Sequence, residues 1–117
     1  PEITVKQYGR GCFIVNEPTS EDIQAAKEGL EEVGAVIRSG QYDVVVLDEA
    51  TIALHYKLFS VEELIAVLQE KPEETEIVIT GRYAPGELIE IADLVTEMKE
   101  IKHYYTKGIL SRKGIEY

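Results

Sequence analysis

The sequence has few of the features that mark extracellular or membrane proteins. Only one of its 117 residues, Cys12, is a cysteine, so no disulfide can form within the chain, and a single thiol suits a reducing cytoplasm. No apolar run approaches the length of a membrane span, and the chain shows no signal-peptide pattern. We therefore expect a cytoplasmic protein with no membrane partner.

Basic residues are also scarce, and the usual catalytic motifs are missing. Twelve Lys and Arg stand against 22 Asp and Glu, giving a formal net charge of −10, which argues against nucleic acid as a partner. His55 and His103 lack the spacing of zinc ligands. No Ser-His-Asp or Cys-His pattern indicates a nucleophile.

The length and composition predict one folded domain that spans residues 1–117. The hydrophobic fraction of 44% is enough for a buried core and is not typical of disorder. The chain begins at Pro1 rather than at a methionine. We therefore expect a processed chain or a fragment.

One stretch combines a buried strand with two carboxylates. The apolar, mostly β-branched run Val44–Leu47 predicts a strand that is buried on both faces, as in a parallel sheet. Asp48 and Glu49 follow it directly. Ligands of open parallel α/β sheets bind at the carboxyl ends of the strands, where an acid can hold Mg²⁺ beside substrate phosphates.

A second predicted strand ends in a cation. The run from Glu76 to Thr80 leads into Gly81 and Arg82, which places a guanidinium at the same predicted edge. An acidic and a cationic strand end together indicate a site for phosphate and a metal. The alternative is that Asp48 caps a following helix and that Arg82 is an ordinary surface charge.

Strand and helix patterns alternate along the chain, which predicts an α/β fold with a mostly parallel sheet flanked by helices. The predicted elements are a strand at Ile3–Tyr8, a helix from the Thr19 cap to Gly40, the strand Val44–Leu47, a short helix or lid within Thr51–Phe59, a helix from the Ser60 cap to Lys71, the strand Glu76–Thr80, a helix from Gly86 to about Ile91, and a strand at Asp93–Met98.

An ordered set of motifs now resembles a known family. The motifs are Leu47-Asp48-Glu49, Thr80-Gly81-Arg82 with Ala84-Pro85 and Glu87-Leu88-Ile89, Ala92-Asp93-Leu94-Val95-Thr96-Glu97-Met98, Lys102-His103, and Gly114-Ile115-Glu116-Tyr117. From about Ile3 to Tyr117, the chain resembles the ATP:cob(I)alamin adenosyltransferases of the corrinoid-biosynthetic, P-loop type.

The resemblance implies RecA-like P-loop NTPase ancestry, with the first strand and the phosphate loop absent. The family's GxGKGKTT-type loop has no counterpart, because Gly9-Arg10-Gly11 lacks the lysine and the hydroxyl. We expect a truncated or proteolysed form, or a degenerate paralogue. Such a chain alone should bind MgATP with a dissociation constant of about a millimolar or weaker. The missing strand would leave Val44–Leu47 with an unpaired edge, so we expect a homo-oligomer.

The resemblance also implies a reaction and a set of residue roles. In this family a Co(I) corrinoid attacks the 5′ carbon of ATP and tripolyphosphate leaves, so the protein supplies no nucleophile. The predicted roles are Mg²⁺ binding for Glu49, ordering of the site for Asp48, nucleotide binding for Thr80, Gly81 and Arg82, and corrin contact for Cys12 and Phe13. Core packing is the alternative for Cys12 and Phe13.

Two other functions stay open at this point. The chain could be a non-catalytic interaction or regulatory module that kept the fold without binding ATP. It could also be a generic P-loop-like nucleotide binder that acts on another acceptor. Corrinoid binding without turnover would favour the module, whereas ATP turnover without corrinoid would favour the generic binder.

Overall fold

The computed structural model describes residues 2–8 and 17–102. In this part of the chain, no helix is long and apolar enough to cross a membrane. The helices and strands follow one another in the order α1 (Ser20–Ser39), β1 (Val44–Leu47), α2 (Ala50–His55), α3 (Val61–Leu68), β2 (Glu76–Ile79) and α4 (Gly86–Ile91).

The two strands pair in parallel and in the predicted places. Val44 lies opposite Glu76, and Leu47 lies opposite Ile79. Because the strands are parallel and α2 and α3 lie between them in the chain, the pair is a strand-helix-strand unit. The prediction of an α/β fold with a parallel sheet is confirmed at this level.

Capping residues fix the ends of the helices where the sequence predicts them. Thr19 and Asp22 form a reciprocal capping box: the Asp22 amide donates to the Thr19 hydroxyl over 3.2 Å, and the Thr19 amide donates to the Asp22 carboxylate over 2.9 Å. Helix α1 ends at Gly40, whose φ of 66° is easily adopted by glycine. Ser60 caps α3 by accepting from the Glu63 amide over 3.0 Å.

Helix α3 is shorter than predicted. It ends at Leu68, one turn before Lys71. The ring of Pro72 disfavours the helical conformation at the residue before it, so the chain leaves the helix earlier, through turn hydrogen bonds to the carbonyls of Val67 and Leu68.

A core of leucines holds the helices on one face of the sheet. Leu30 of α1, Leu64 of α3 and Leu88 of α4 form the buried cluster, against which Leu47 and Ile79 of the strands pack. The apolar stripe predicted for α1 supplies Leu30 and the fully buried Ile37. The periodic spacing of that stripe therefore identified the packed face correctly.

The opposite face of the sheet is exposed, so the prediction that β1 is buried on both faces was wrong. Val44 and Val46 are 54% and 57% exposed, and Val78 of β2 is 45% exposed. The buried leucine cluster packs on the Leu47 and Ile79 side alone. An unbroken apolar run cannot reveal this, because it shows the same pattern whether one face or both are covered.

The predicted strand at Ile3–Tyr8 does not form, since residues 2–8 pair with no strand in the described chain. The segment contacts α1 instead. The Lys6 ammonium lies 2.6 Å from the Glu32 carboxylate, a hydrogen bond that raises the pKa of Lys6. Tyr8 packs against Gly29, where a Cβ would lie only 3.0 Å from its ring. Burial, and then Glu32, raise the pKa of the Tyr8 phenol.

The predicted strand at Asp93–Met98 is also wrong. These residues have no strand conformation and are exposed, with Leu94 at 85% and Met98 at 92%. A β-branched pattern creates a strand only where a neighbouring strand supplies hydrogen-bond partners. Within the described residues, β1 and β2 pair only with each other.

Candidate functional site

The carboxyl ends of the two strands are joined by one hydroxyl group. The Thr80 hydroxyl donates to Asp48 Oδ1 over 2.6 Å and accepts from the Glu49 amide over 3.0 Å. The parallel register makes this possible, because it brings the residues that follow β1 and β2 to the same edge. The structure therefore brings together Asp48, Glu49 and Thr80, as the sequence predicts.

The Thr80 hydroxyl has no proton left for a ligand. A hydroxyl carries one hydrogen, and here that hydrogen is given to Asp48. The distance of 2.6 Å between Thr80 Oγ1 and Asp48 Oδ1 is typical of a charge-assisted hydrogen bond to a carboxylate. In this structure Thr80 therefore donates within the protein, to Asp48.

Glu49 presents an exposed carboxylate at this edge. Its backbone is left-handed, with φ 59° and ψ 23°, and it stands at the N-cap of α2 without a side-chain capping bond. In residues 2–8 and 17–102 its side chain has no hydrogen bond or ion pair. The alternative that Asp48 caps this helix is wrong, since Asp48 accepts from Thr80 instead.

Gly81 fits against helix α2 where no other residue would. Its φ is 141°, and a Cβ there would collide with the Thr51 hydroxyl and lie 3.2 Å from the Thr51 Cβ. Thr51 is 3% exposed, and its hydroxyl has no hydrogen-bond partner in the described chain. This close approach fixes where the chain leaves β2 for Arg82.

Arg82 is exposed and is followed by a strained, stacked tyrosine. Tyr83 has φ 59°, a conformation that costs a non-glycine residue about 1–2 kcal/mol. Its ring stacks on His55 with centroids 4.3 Å apart and an interplanar angle of 26°. The Arg82 guanidinium carbon lies 5.3 Å from the Tyr83 ring centroid. Arg82 has no carboxylate partner among the described residues.

Sequence reasoning gave His55 and Tyr83 no role, and the available signal was weak. Tyr83 follows Arg82 directly, and His55 stands four residues after Thr51, which is the spacing of neighbours on one helix face. Only the conformation of the chain after β2 shows that these two rings meet.

The acid pair has the donor chemistry that Mg²⁺ prefers. No group of three or more His, Cys, Asp or Glu side chains that could hold a metal occurs in the part of the chain the structure describes. Magnesium, however, is commonly held by one or two carboxylates together with substrate phosphates and water. Asp48 and Glu49 fit that smaller requirement.

A cleft with a mainly apolar lining lies between α1, the end of α2 and the start of α3. It has a volume of about 580 Å³, and its lining includes Leu54, next to His55, and Pro85, two residues after Tyr83. Lys27 and Lys57 also line it, and Lys27 lies 4.0 Å from Glu63. Cys12 and Phe13, the predicted corrin contacts, lie outside the described residues.

Comparison with known proteins identifies the family. A family model described as ATP:corrinoid adenosyltransferase BtuR/CobO/CobP matches residues 2–117. A corrinoid adenosyltransferase of Sinorhizobium sp is 40% identical over 110 residues, which are 93% of this chain and 51% of the relative. One of Pseudomonas aeruginosa is 32% identical over 116 residues, 99% of this chain and 57% of the relative.

A third relative is much longer. An uncharacterized protein of Nostoc sp. is 46% identical over 109 residues, which are 92% of this chain but 29% of that protein. The chain thus spans about half the length of the two corrinoid adenosyltransferases and less of the Nostoc protein. The resemblance drawn from the ordered motifs is confirmed, and the chain belongs to the ATP:corrinoid adenosyltransferase family.

Proposed function

We propose that this chain takes part in transferring the 5′-deoxyadenosyl group of ATP to the Co(I) centre of a corrinoid, in cobalamin biosynthesis or salvage. The observation that carries the proposal is the pair of hydrogen bonds by which Thr80 joins Asp48 to Glu49. Arg82, whose guanidinium is exposed, follows Thr80 by two residues. The chain that contains this arrangement belongs to the adenosyltransferase family. The substrates are ATP and a corrinoid, and the chemistry requires a site for a polyphosphate.

The reaction divides the work between the substrates and the protein. The cobalt electron pair forms the bond to the 5′ carbon, and the carbon–oxygen bond breaks with its electrons leaving on tripolyphosphate. The protein contributes positioning and charge stabilisation. Mg²⁺ would neutralise part of the charge on the leaving triphosphate.

The acid pair supplies the metal-binding side of the site. We assign Mg²⁺ binding to the Glu49 carboxylate, which is exposed and unengaged among the described residues. Asp48 orders the site through Thr80. The hydrogen bonds support this division of roles, because Asp48 accepts from Thr80 and the Glu49 carboxylate has no partner within residues 2–8 and 17–102.

The other strand end supplies the nucleotide-binding side. Arg82 carries a permanent charge and a planar fork that matches phosphate oxygens, so we assign it to phosphate or ribose. Thr80 and Gly81 shape this end: the hydroxyl proton of Thr80 is used within the protein, and Gly81 lets the chain pass close to α2. Corrin contact by Cys12 and Phe13 stays part of the proposal.

The ancestry and organisation of the chain are part of the same proposal. We infer RecA-like P-loop ancestry for a single domain over residues 1–117, acting in the cytoplasm and as a homo-oligomer. The parallel β1–β2 unit with its site at the carboxyl ends of the strands supports this ancestry. The phosphate loop of that ancestry is not among these 117 residues.

The direct test uses the full product of the gene that encodes this sequence. Incubation with MgATP and a reduced corrinoid should form the light-sensitive cobalt–carbon bond, followed in the corrinoid spectrum. Corrinoid binding without bond formation would support the non-catalytic module instead. ATP hydrolysis that is independent of corrinoid would support a generic nucleotide binder.

A second measurement addresses nucleotide binding by the 117 residues alone. We expect calorimetry to give a dissociation constant for MgATP of about a millimolar or weaker, equivalent to roughly −4 kcal/mol. The reason is that Arg82 and Glu49 provide charges but no cradle of backbone amides for the phosphates. Micromolar binding would mean that these residues hold ATP without such a loop.

A further inference from the structure

We propose that helix α2 positions Arg82, through a contact face formed by Thr51 and His55 that holds the two neighbours of the arginine. The proposal rests on the function proposed above, in which Arg82 binds the nucleotide. It assigns to His55, Thr51 and Tyr83 a positioning role.

The two contacts lie on one side of the helix and flank the arginine. Thr51 and His55 are four residues apart in α2, so their side chains are neighbours on the same face. Thr51 meets Gly81, and His55 stacks on Tyr83. The residue before Arg82 and the residue after it are therefore both fixed to α2.

The backbone after Arg82 requires this support. Gly81 can adopt its φ of 141° without strain, but Tyr83 has a φ of 59°, and a tyrosine adopts the left-handed region only where surrounding contacts impose it. Tyr83 is 60% exposed, and its stacking on His55 is a contact that supports it. The Tyr83 ring also lies 5.3 Å from the Arg82 guanidinium carbon, within the range of a cation–π interaction.

The same helix is attached to the acid pair at its other end. Helix α2 begins directly after Glu49, whose amide is bonded to Thr80. The spacing between the Glu49 carboxylate and the Arg82 guanidinium is thus set through one rigid element of six residues. Loss of the stacked rings should release Arg82 while leaving the acid pair in place.

The test measures ATP binding by calorimetry, using the full gene product. Tyr83→Ala should weaken ATP binding about five- to tenfold, because the guanidinium loses both its ring neighbour and its fixed backbone. Tyr83→Phe keeps the stacked ring and should bind ATP within about twofold of the unaltered protein. His55→Ala keeps the Tyr83 ring but removes its stacking partner, so it should weaken ATP binding in the same direction, and it serves as the second variant if Tyr83→Ala does not fold.

A double-mutant cycle separates positioning of Arg82 from a general structural role. In an Arg82→Ala background, His55→Ala should change ATP binding by less than about twofold, since there is no guanidinium left to position. The KM for the corrinoid should not change with His55→Ala. Independent, additive effects of His55→Ala and Arg82→Ala would overturn the positioning role.

The outcomes also distinguish this inference from the proposed function. An unaltered gene product that binds no ATP would overturn both. A gene product that binds ATP and adenosylates corrinoid, but shows additive effects in the cycle, would overturn only the positioning role. Coupling between His55 and Arg82 in ATP binding would support that role even if the acceptor were not a corrinoid.

Discussion

The two ends of the strand pair are built in opposite ways. At the amino end, the Thr75 hydroxyl is buried and donates to the Tyr42 carbonyl over 3.4 Å, while the Lys71 ammonium donates to the Thr75 carbonyl over 3.0 Å. At the carboxyl end, the Thr80 hydroxyl donates to a charged, exposed Asp48. At the amino end these polar groups are hydrogen-bonded within the protein, whereas at the carboxyl end they are hydrogen-bonded to each other and exposed to solvent.

Charge and backbone strain also differ between the two ends, although Lys57, at neither end, has a positive φ as well, and Asp43 at the amino end has no ion pair in the described ranges. Arg38 and Glu70, which flank the amino end, pair at 2.5 Å, whereas the opposite charges of Glu49 and Arg82 have no ion-pair partner in the described ranges. Glu49 and Tyr83, both at the carboxyl end, have positive φ values. Strained backbone residues cluster at functional sites, which supports the proposal that the carboxyl end carries the site.

The largest expected effect is a loss of stability from a substitution at the carboxyl end of the strand pair. Gly81→Ala should lower the free energy of unfolding by about 2–5 kcal/mol, since it adds backbone strain and overpacking against Thr51. Gly86→Ala is the matched control: a Cβ there would meet nothing within 4 Å, and stability should stay equal or rise by about 0.4–1 kcal/mol. Denaturant unfolding followed by circular dichroism measures both, and equal stabilities would contradict the close approach.

The next effect is on kcat, and it distinguishes an acid at the carboxyl end of the strand pair from an acid near the amino end. Glu49→Gln should lower kcat for adenosylation by about 100-fold or more, because the shape is kept but the charge that holds Mg²⁺ is lost. Glu74→Gln removes an exposed acid near the amino end and should leave kcat within about twofold. Formation of the cobalt–carbon bond is the measurement. Full activity of Glu49→Gln would move the metal role to Asp48.

Local sequence signals predicted the parts of the fold that depend on local chemistry. The Thr19 capping box, the left-handed Gly40 and the strands β1 and β2 are where the patterns indicate. The strands predicted at Ile3–Tyr8 and Asp93–Met98 failed because a strand exists only with a partner that is distant in sequence. A local pattern carries no information about that partner.

The candidate site was predictable to the same extent. Parallel strands bring their carboxyl ends to one edge, so the meeting of Asp48 with Thr80 followed from two strand predictions. The stacking of Tyr83 on His55 did not, because it depends on a positive φ at a residue that is not glycine. That conformation is accompanied by a contact with α2, which a local pattern does not show.

A smaller effect compares the arginines of the two ends. Arg82→Lys should raise the KM for ATP about tenfold, or about 1.4 kcal/mol, since a point ammonium cannot reproduce a two-pronged contact with phosphate. Arg38→Lys alters an exposed ion pair with Glu70 and should leave this KM unchanged, because such pairs contribute about 0–1 kcal/mol to stability alone. Steady-state kinetics with varied ATP concentration measures the KM of both variants. Equal KM values for Arg82→Lys and Arg38→Lys would show that Arg82 does not bind the nucleotide.

The smallest effect compares the two threonines that join the strands. Thr75→Val removes one hydrogen bond between strand segments, and Thr80→Val removes two. The free energy of unfolding should therefore fall by about 0.5–1.5 kcal/mol for Thr75→Val and by about 1–3 kcal/mol for Thr80→Val. Only Thr80→Val also frees Asp48 and the Glu49 amide, so it alone should lower kcat/KM for ATP, by about two- to tenfold, the equivalent of one hydrogen bond. Thermal unfolding and kinetics on the same two variants provide the measurement. If Thr75→Val lost as much activity as Thr80→Val, the joined strands would act on the site through overall stability, and the distinction between the two ends would not hold.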